Sequence, residues 1–334
     1  MPGAFALVSL GCAKNLVDSE DLVAGLRGLG LHLTESLPDA DLILINTCGF
    51  VGDAKQESIA AIVEVARDRR AGAKLVVAGC LTERYPDELA QGLPEVDLWL
   101  PFSRYRAFPR LAAGLLGLEP PTRQAVGGSR ERLTPKHLAY LKIAEGCDNT
   151  CNFCAIPLIR GKHVSRPFAA LVSQAAAMAA DGVAEISLVS QHLDYYGADR
   201  YGRRRLPELV RAVARAAPQA WIRLHYCYPD RFGDDLIAAI AATPNVLHYL
   251  DLPIQHASDR ILKAMRRNTS QRRLRDRLTA IRTALPDVVL RTAVITGFPG
   301  ENERDHRDLL AFLDEMAFDH VGVFRFSPED GTPA

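Results

Sequence analysis

The sequence lacks three features that would each assign the protein to a broad class. No apolar run approaches the ~20 residues of a membrane-spanning helix, and Met1–Leu10 lacks the charged segment and long apolar core of a signal peptide. Neither charge is in excess, since 40 Lys and Arg balance 40 Asp and Glu. No overall basic field therefore attracts nucleic acid indiscriminately. We expect a cytoplasmic protein with no membrane partner, which binds any RNA or protein partner through a local patch.

Disulfide bonds are also not expected, although the chain has seven cysteines. Seven is an odd number, and the cytosol disfavours structural disulfides, so these side chains should be thiols or metal ligands. A hydrophobic content of 48% and a charged content of 24% are typical of a globular protein. At ~150 residues per domain, 334 residues suffice for about two domains.

The first third of the chain alternates short apolar runs with amphipathic stretches. Continuous apolar strands that alternate with helices predict a parallel sheet covered on both faces, so we assign residues 1–115 to an N-terminal α/β domain. Residues 116–135 show no periodicity and contain Pro120-Pro121 and Gly127-Gly128, which indicates a linker. Helices are predicted over residues 16–29, 54–69 and 83–93. The predicted strands are Ala4–Leu10, Leu42–Asn46, Lys74–Ala78 and Val96–Leu100.

The alternation resumes over residues 136–334 with about six β/α units. A complete eight-unit barrel typically needs ~250 residues, and about 200 remain, so we predict a partial (β/α)6 barrel of the TIM type. The predicted strands are Ala139–Ala144, Glu185–Ser190, Trp221–Tyr226, Val246–Leu252, Val288–Ile295 and His320–Phe326.

Three cysteines of the N-terminal domain each follow a predicted strand. Ligands of an open parallel sheet bind at the carboxyl ends of its strands, and Cys12, Cys48 and Cys80 are all placed there. Any one of them alone is more often a small buried hydrophobic residue. Three at equivalent positions favour a shared metal site.

A second set of cysteines is much closer in sequence. Cys147, Cys151 and Cys154 form a CxxxCxxC loop after the first barrel strand. A structural zinc site needs four ligands, and His163 is the nearest candidate for a fourth. Three thiolates instead leave one iron of a 4Fe–4S cluster open to a ligand, unlike the ferredoxin motifs, which supply a fourth Cys. Cys227, in the run Leu224-His225-Tyr226-Cys227 at the end of a predicted strand, should be inert.

This loop resembles that of the radical S-adenosylmethionine (SAM) enzymes, whose open iron binds the amino and carboxylate groups of SAM. The resemblance implies that the cluster of Cys147, Cys151 and Cys154 is catalytic. Phe153 matches an aromatic position near the adenine. Further residues end predicted barrel strands and are candidate SAM contacts, although a βα turn or a polar barrel mouth explains each of them equally well. These candidates are Ser190, Gln191, Arg223, His225 and Gly297.

The upstream cysteines make the whole chain similar to the methylthiotransferases. The RimO type modifies an aspartate of a small-subunit ribosomal protein, and the MiaB type modifies an adenosine of tRNA. Ser9–Glu20 and Asp251–His256 resemble the RimO type. These enzymes usually carry a C-terminal β-barrel domain called TRAM, and the sequence ends at Ala334, about where that domain would begin.

The resemblance implies a transferase with two 4Fe–4S clusters. The barrel cluster would cleave one SAM to a 5′-deoxyadenosyl radical, which takes hydrogen from the aspartate β-carbon. The cluster of Cys12, Cys48 and Cys80 would carry the sulfur that is inserted, and a second SAM would supply the methyl group. The implied partners are a small-subunit ribosomal protein or the assembled subunit, an electron donor such as flavodoxin, and a source of sulfide or persulfide.

Two alternatives remain at this point. The first is the same chemistry on tRNA. The second is a non-catalytic iron–sulfur electron carrier, which would gain nothing from an open iron. A basic run from Arg266 to Arg277 is by default a solvated helix face. The alternative is a docking surface for ribosomal RNA or an acidic protein segment.

Overall fold

The computed structural model describes residues 3–121 and 130–334, which form two compact units. The first unit comprises Met1–Leu133 and Leu158–Arg160, and the second comprises Thr134–Pro157 and Gly161–Ala334. The predicted linker over residues 116–135 extends across this division. Its Gly127-Gly128 pair lies outside the described residues. No helix in the described parts of either unit combines the length and apolar character that crossing a bilayer requires.

The first unit contains a five-stranded sheet whose strands are all parallel. Its strands are β1 (Ala4–Ser9), β2 (His32–Leu33), β3 (Leu42–Thr47), β4 (Lys74–Gly79) and β5 (Leu98–Leu100), in the spatial order β2-β1-β3-β4-β5. Its helices are α1 (Ala13–Arg27), α2 (Gly52–Asp68), α3 (Cys80–Arg84), α4 (Pro86–Gly92) and α5 (Phe108–Leu116).

Strand β3 shows why this sheet is covered on both faces. All six of its residues are buried. Because successive side chains of a strand point to opposite faces, Leu42 and Leu44 pack with core residues of α1 and α5. Ile43 and Ile45 pack on the other face with core residues of α2. The continuous apolar run in the sequence is therefore the pattern of a central strand between two helical layers, and the predicted fold class is confirmed.

The second unit contains six parallel strands that are joined mainly through helices. They are β6 (Leu138–Lys142), β9 (Glu185–Val189), β10 (Trp221–Leu224), β11 (Val246–Asp251), β12 (Val289–Thr296) and β13 (His320–Arg325), adjacent in that order, and β7 (Ala144–Glu145) pairs separately with β8 (Val164–Ser165). The helices are α6 (Ile156–Arg160), α7 (Phe168–Ala180), α8 (Ala198–Tyr201), α9 (Leu206–Ala216), α10 (Asp234–Ala241), α11 (Asp259–Ala264), α12 (Gln271–Ala284) and α13 (Glu303–Met316). The last three residues of α6 are counted with the first unit.

Several predicted elements have other bounds in the structure: the strand predicted over Ala139–Ala144 is divided into β6 and β7, and that over Val96–Leu100 is shortened to β5. Two further differences have a clear backbone cause. The helix predicted over residues 83–93 is interrupted before Pro86, which lacks an N–H and begins a new helix at its first turn. The strand predicted over Trp221–Tyr226 ends at Leu224, because Tyr226 has a φ of 61° in the left-handed region. Cys227 therefore lies beyond β10, where it is buried and its N–H donates to the Asp251 carbonyl at 3.0 Å.

Gly79 links the sheet to the helix that begins with Cys80. Its φ is 102°, and a Cβ there would lie 2.3 Å from the Thr47 carbonyl oxygen of the neighbouring strand. Gly30 also has a positive φ of 81°, but nothing lies within 4 Å of its Cβ position. We expect Gly30→Ala to lower the free energy of unfolding by about 1 kcal/mol through backbone strain.

Gly79→Ala should cost clearly more than Gly30→Ala, because its Cβ also overlaps the backbone of β3. Denaturant unfolding of the metal-free protein compares the two variants. Equal losses would contradict the steric role assigned to Gly79.

Candidate iron–sulfur and cofactor sites

The three cysteines of the first unit lie at one edge of its sheet. Cys12 precedes α1 shortly after the end of β1, Cys48 directly follows β3, and Cys80 directly follows β4. These three strands are adjacent and parallel, so their carboxyl ends share an edge. A Cβ on Gly11 would lie 3.6 Å from the Cys48 Sγ, which shows how closely the β1–α1 turn approaches that thiol.

The thiols of this triad are close enough to influence one another's ionisation. Burial raises the pKa of Cys48, and the negative charge of Cys12 adds to that rise. Burial also raises the pKa of Cys80 to about 11, against the opposing charge of Arg160. Three thiolates in such a place need positive charge nearby, and a bound metal deprotonates coordinating thiols outright. The donor set therefore fits an iron–sulfur cluster.

Side-chain amides hold the turns that carry these thiols. The Asn15 side chain donates to the Leu10 carbonyl at 2.6 Å and to the Thr47 carbonyl at 3.2 Å. The Asn46 side chain donates in turn to the Asn15 carbonyl at 2.8 Å. Because both amides are buried, these bonds fix the β1–α1 turn against the end of β3.

The loop of the second triad begins at a glycine that no other residue could replace without a shift. Gly146 has a φ of 75°, and a Cβ there would lie 2.1 Å from the Lys162 carbonyl oxygen. The Cys147 N–H donates to the Gly161 carbonyl at 3.1 Å, and the Cys154 N–H donates to the Cys151 carbonyl at 3.1 Å. These contacts fold the backbone of the cysteine loop without any contribution from a cofactor.

The thiols of this loop also interact. Burial raises the pKa of Cys154 to about 12, and the charges of Cys151 and Cys147 contribute to the rise. Within residues 3–121 and 130–334, no group of three or more His, Cys, Asp or Glu side chains is arranged to hold a single metal ion. Each thiolate of a 4Fe–4S cluster binds its own iron, so a cluster does not require three sulfurs arranged around a single metal ion.

His163, the nearest candidate for a fourth ligand, belongs to a separate network. Its Nε2 lies 3.2 Å from the Ser165 Oγ, and that hydroxyl donates to Asp199 at 2.5 Å. Its main-chain N–H donates to Asp148 at 3.0 Å, within the cysteine loop. In this arrangement His163 holds the loop rather than adding a ligand to it.

The residues after β9 leave buried polar atoms without protein partners. Among the described residues, neither the Ser190 Oγ nor the Gln191 Oε1 has a hydrogen-bond partner. The Gln191 amide is held by its Nε2, which donates to the Glu145 carboxylate at 2.7 Å. Buried polar atoms are normally paired, so these two positions fit a polar ligand such as SAM.

The other candidate SAM contacts already have protein neighbours. Arg223 donates to both carboxylate oxygens of Glu185, at 2.7 and 2.8 Å. The Gly297 N–H donates to the Glu301 carboxylate at 2.6 Å, and Phe153 packs against the small cluster that includes Phe298. His225 directly follows β10, with its Nδ1 3.8 Å from the Asp251 carboxylate. Their role as SAM contacts stays a prediction.

The basic run separates into three environments. Arg267 is buried over the Tyr228 ring, at 3.8 Å from its centre. Arg266 and Arg273 line an open cavity of about 500 Å³, together with Lys263 and the same Arg267. The remaining arginines lie near carboxylates: Arg272 with Asp276, Arg275 with Glu315, and Arg277 with Asp234.

Two family models match the chain. Residues 4–101 match the uncharacterized protein family UPF0004, and residues 141–313 match the radical SAM superfamily. The fold is similar to that of TsrM, a radical SAM methyltransferase from Kitasatospora setae, with a TM-score of 0.70 and 13% identity over 97% of this chain and 73% of that chain. OxsB, a cobalamin-dependent SAM radical enzyme, gives a TM-score of 0.64 and 11% identity over 93% and 52%. At these identities the likeness concerns the fold. The superfamily match makes the protein a radical SAM enzyme and implies SAM and iron–sulfur cofactors.

Similar proteins show which family within the radical SAM superfamily the chain belongs to. The chain is 47% identical over 333 residues to a protein of Anaeromyxobacter sp. (strain K), covering 98% of this chain and 71% of that one. It is 44% identical over 342 residues to one of Symbiobacterium thermophilum, covering 100% and 70%. Both relatives are named ribosomal protein uS12 methylthiotransferase RimO. This chain belongs to the RimO family of radical SAM methylthiotransferases, and the resemblance found in its motifs is confirmed.

Ser190 allows a direct test of the cofactor site. Because its Oγ has no hydrogen-bond partner in the described part of the chain, Ser190→Ala should leave the free energy of unfolding within about 0.5 kcal/mol of wild type. If the hydroxyl contacts SAM, the same variant should bind SAM roughly fivefold more weakly, which corresponds to one neutral hydrogen bond of about 1 kcal/mol. Unfolding of the metal-free protein and calorimetric titration of the reconstituted protein with SAM give the two values.

Ser187 provides the matched control, on the strand β9 that immediately precedes Ser190. It is also buried, but its Oγ donates to Glu185 at 3.1 Å. Ser187→Ala should lower stability by about 1 kcal/mol and leave SAM binding unchanged. Unchanged SAM affinity in Ser190→Ala would remove Ser190 from the cofactor site.

Proposed function

We propose that this chain inserts a methylthio group at the β-carbon of an aspartate in ribosomal protein uS12, using SAM and two 4Fe–4S clusters. The observation that carries the proposal is the pair of cysteine triads. Cys12, Cys48 and Cys80 follow strands β1, β3 and β4 of the first sheet, and the other three cysteines lie in the loop between β7 and α6. The names of relatives that are 44–47% identical over nearly the whole chain support the same substrate.

Each triad has three thiols where a closed cluster site would have four. Cys12, Cys48 and Cys80 would hold one cluster, and Cys147, Cys151 and Cys154 the other, each with one iron open to a further ligand. When bound, SAM and the second cluster supply radical chemistry that removes hydrogen from a C–H bond too strong for side-chain acid–base catalysis. The protein's contribution is to hold these groups in place and to exclude water from them.

Specific residues at each site hold the cofactors in place. Gly146 and its neighbours fold the cysteine loop, while His163 and Asp148 fasten its start. Ser190 and Gln191 present polar atoms for SAM at the end of β9. The Asn15 and Asn46 side-chain amides hold in place the turns that carry the first triad.

Docking of the substrate is assigned to the cavity lined by Lys263, Arg266 and Arg273. Of the residues that the structure describes, Asp259 is the one acidic residue in its lining. A chain with no net charge has no long-range attraction to a ribosomal subunit, so such a local basic site must provide it. The proposal further requires an electron donor such as flavodoxin and a source of sulfide or persulfide.

The two triads should be separable by their products. A Cys48→Ala protein should still form 5′-deoxyadenosine from SAM under reducing conditions, because Cys147, Cys151 and Cys154 remain. It should give no methylthiolated uS12, because the first triad is incomplete. Chromatography of the nucleoside and mass spectrometry of uS12 measure the two outcomes in one incubation.

Cys227→Ala is the matched control, because this buried thiol lies outside both triads. It should retain both products. Loss of SAM cleavage in Cys48→Ala with the barrel cluster intact would contradict the division of labour. A gain of mass on tRNA in place of uS12 would favour the adenosine-modifying alternative.

A further inference from the structure

Each cysteine triad has one buried arginine directed at a sulfur atom. In the first unit, the Arg160 Nη2 lies 3.3 Å from the Cys80 Sγ. Its guanidinium lies over the Phe102 ring, 4.1 Å from the centre. The Arg160 side chain is only 2% exposed, so its charge acts with little screening by solvent.

Two residues of α1 hold this guanidinium. Its Nη1 donates to the Asp18 carboxylate at 2.6 Å, and its Nη2 also donates to the Asn15 Oδ1 at 3.0 Å. The Asp18 side chain is 6% exposed. A buried ion pair is weak evidence for a stabilising role, because the cost of desolvating both charges offsets much of their attraction. The placement of this pair against a thiol calls for another explanation.

The second unit contains a similar arrangement with a different anchor. The Arg267 Nη1 lies 3.8 Å from the Cys151 Sγ, and its guanidinium lies over the Tyr228 ring. The Arg267 Nη2 donates to the Pro253 main-chain carbonyl at 2.8 Å. Arg160, in contrast, donates to a carboxylate, that of Asp18. The Arg160 site therefore combines a positive charge beside one thiol with a negative charge bound to that same guanidinium.

We propose that Arg160 and Asp18 are positioning residues that set the reduction potential of the cluster held by Cys12, Cys48 and Cys80. The inference rests on the proposed function, because it assumes that cluster. Reduction adds a negative charge to a cluster, and hydrogen bonds and positive charge at its sulfurs favour the reduced form. Arg160 should therefore raise the midpoint potential, and Asp18 should lower it.

The test uses a full-length background in which Cys147, Cys151 and Cys154 are all Ala, so that only the first cluster is present. Its midpoint potential is measured by redox titration under electron paramagnetic resonance, and its iron is counted. Arg160→Met should lower the midpoint, because a positive charge and the donor to Cys80 are lost. Asp18→Asn should raise it, because the amide oxygen still accepts from Arg160 while the negative charge is gone.

Two further variants separate charge from structure. Arg160→Lys keeps the charge and should lie nearer to wild type than Arg160→Met. Arg130 forms another largely buried ion pair in the same unit, with Glu20 at 2.8 Å. Arg130→Met should therefore lower stability while moving the midpoint much less.

Opposite shifts in Arg160→Met and Asp18→Asn support the proposal. Shifts of the same sign, or none, with full iron would overturn it and leave the pair a structural contact. If the Arg160→Met protein binds no cluster, the sign of the midpoint-potential shift in Asp18→Asn decides whether the proposal stands. A background protein that folds but binds no iron would instead overturn the proposed first cluster itself, which distinguishes that failure from a failure of this inference.

Discussion

The parallel direction of every strand in the two main sheets is the constraint on which the rest of the structure depends. Because parallel strands share one carboxyl edge, residues far apart in sequence meet there. Cys12, Cys48 and Cys80 are brought together in this way by β1, β3 and β4. The second sheet places Ser190 and Arg223 at or near the ends of neighbouring strands by the same rule.

The electrostatics of the two cysteine triads restricts the kind of group that can bind there. The pKa of Cys80 is raised to about 11 and that of Cys154 to about 12, in both cases chiefly by burial. Thiolates in these places require compensating positive charge, which iron would supply together with Arg160 and Arg267. Under the proposed function, the two buried arginines and the Ser190 Oγ, which has no hydrogen-bond partner among the described residues, would contact charged cofactors.

Sequence reasoning succeeded where position along a strand determines the contact. The apolar run Leu42–Asn46 predicts a central strand, so the place of Cys48 at its end follows directly. It failed where the backbone departs from its regular path, as at Tyr226, whose positive φ ends β10 before Cys227. Arg160 left no local signal at all, because its partner Asp18 lies 142 residues away in the sequence.

The central claim is that the chain holds two independent clusters, one on each triad. Iron per chain after anaerobic reconstitution with iron and sulfide tests it most directly, in wild type and in the variant with Cys147, Cys151 and Cys154 all changed to Ala. The account predicts that the variant keeps half of the wild-type iron, bound to the first triad. A folded variant that keeps no iron would contradict it.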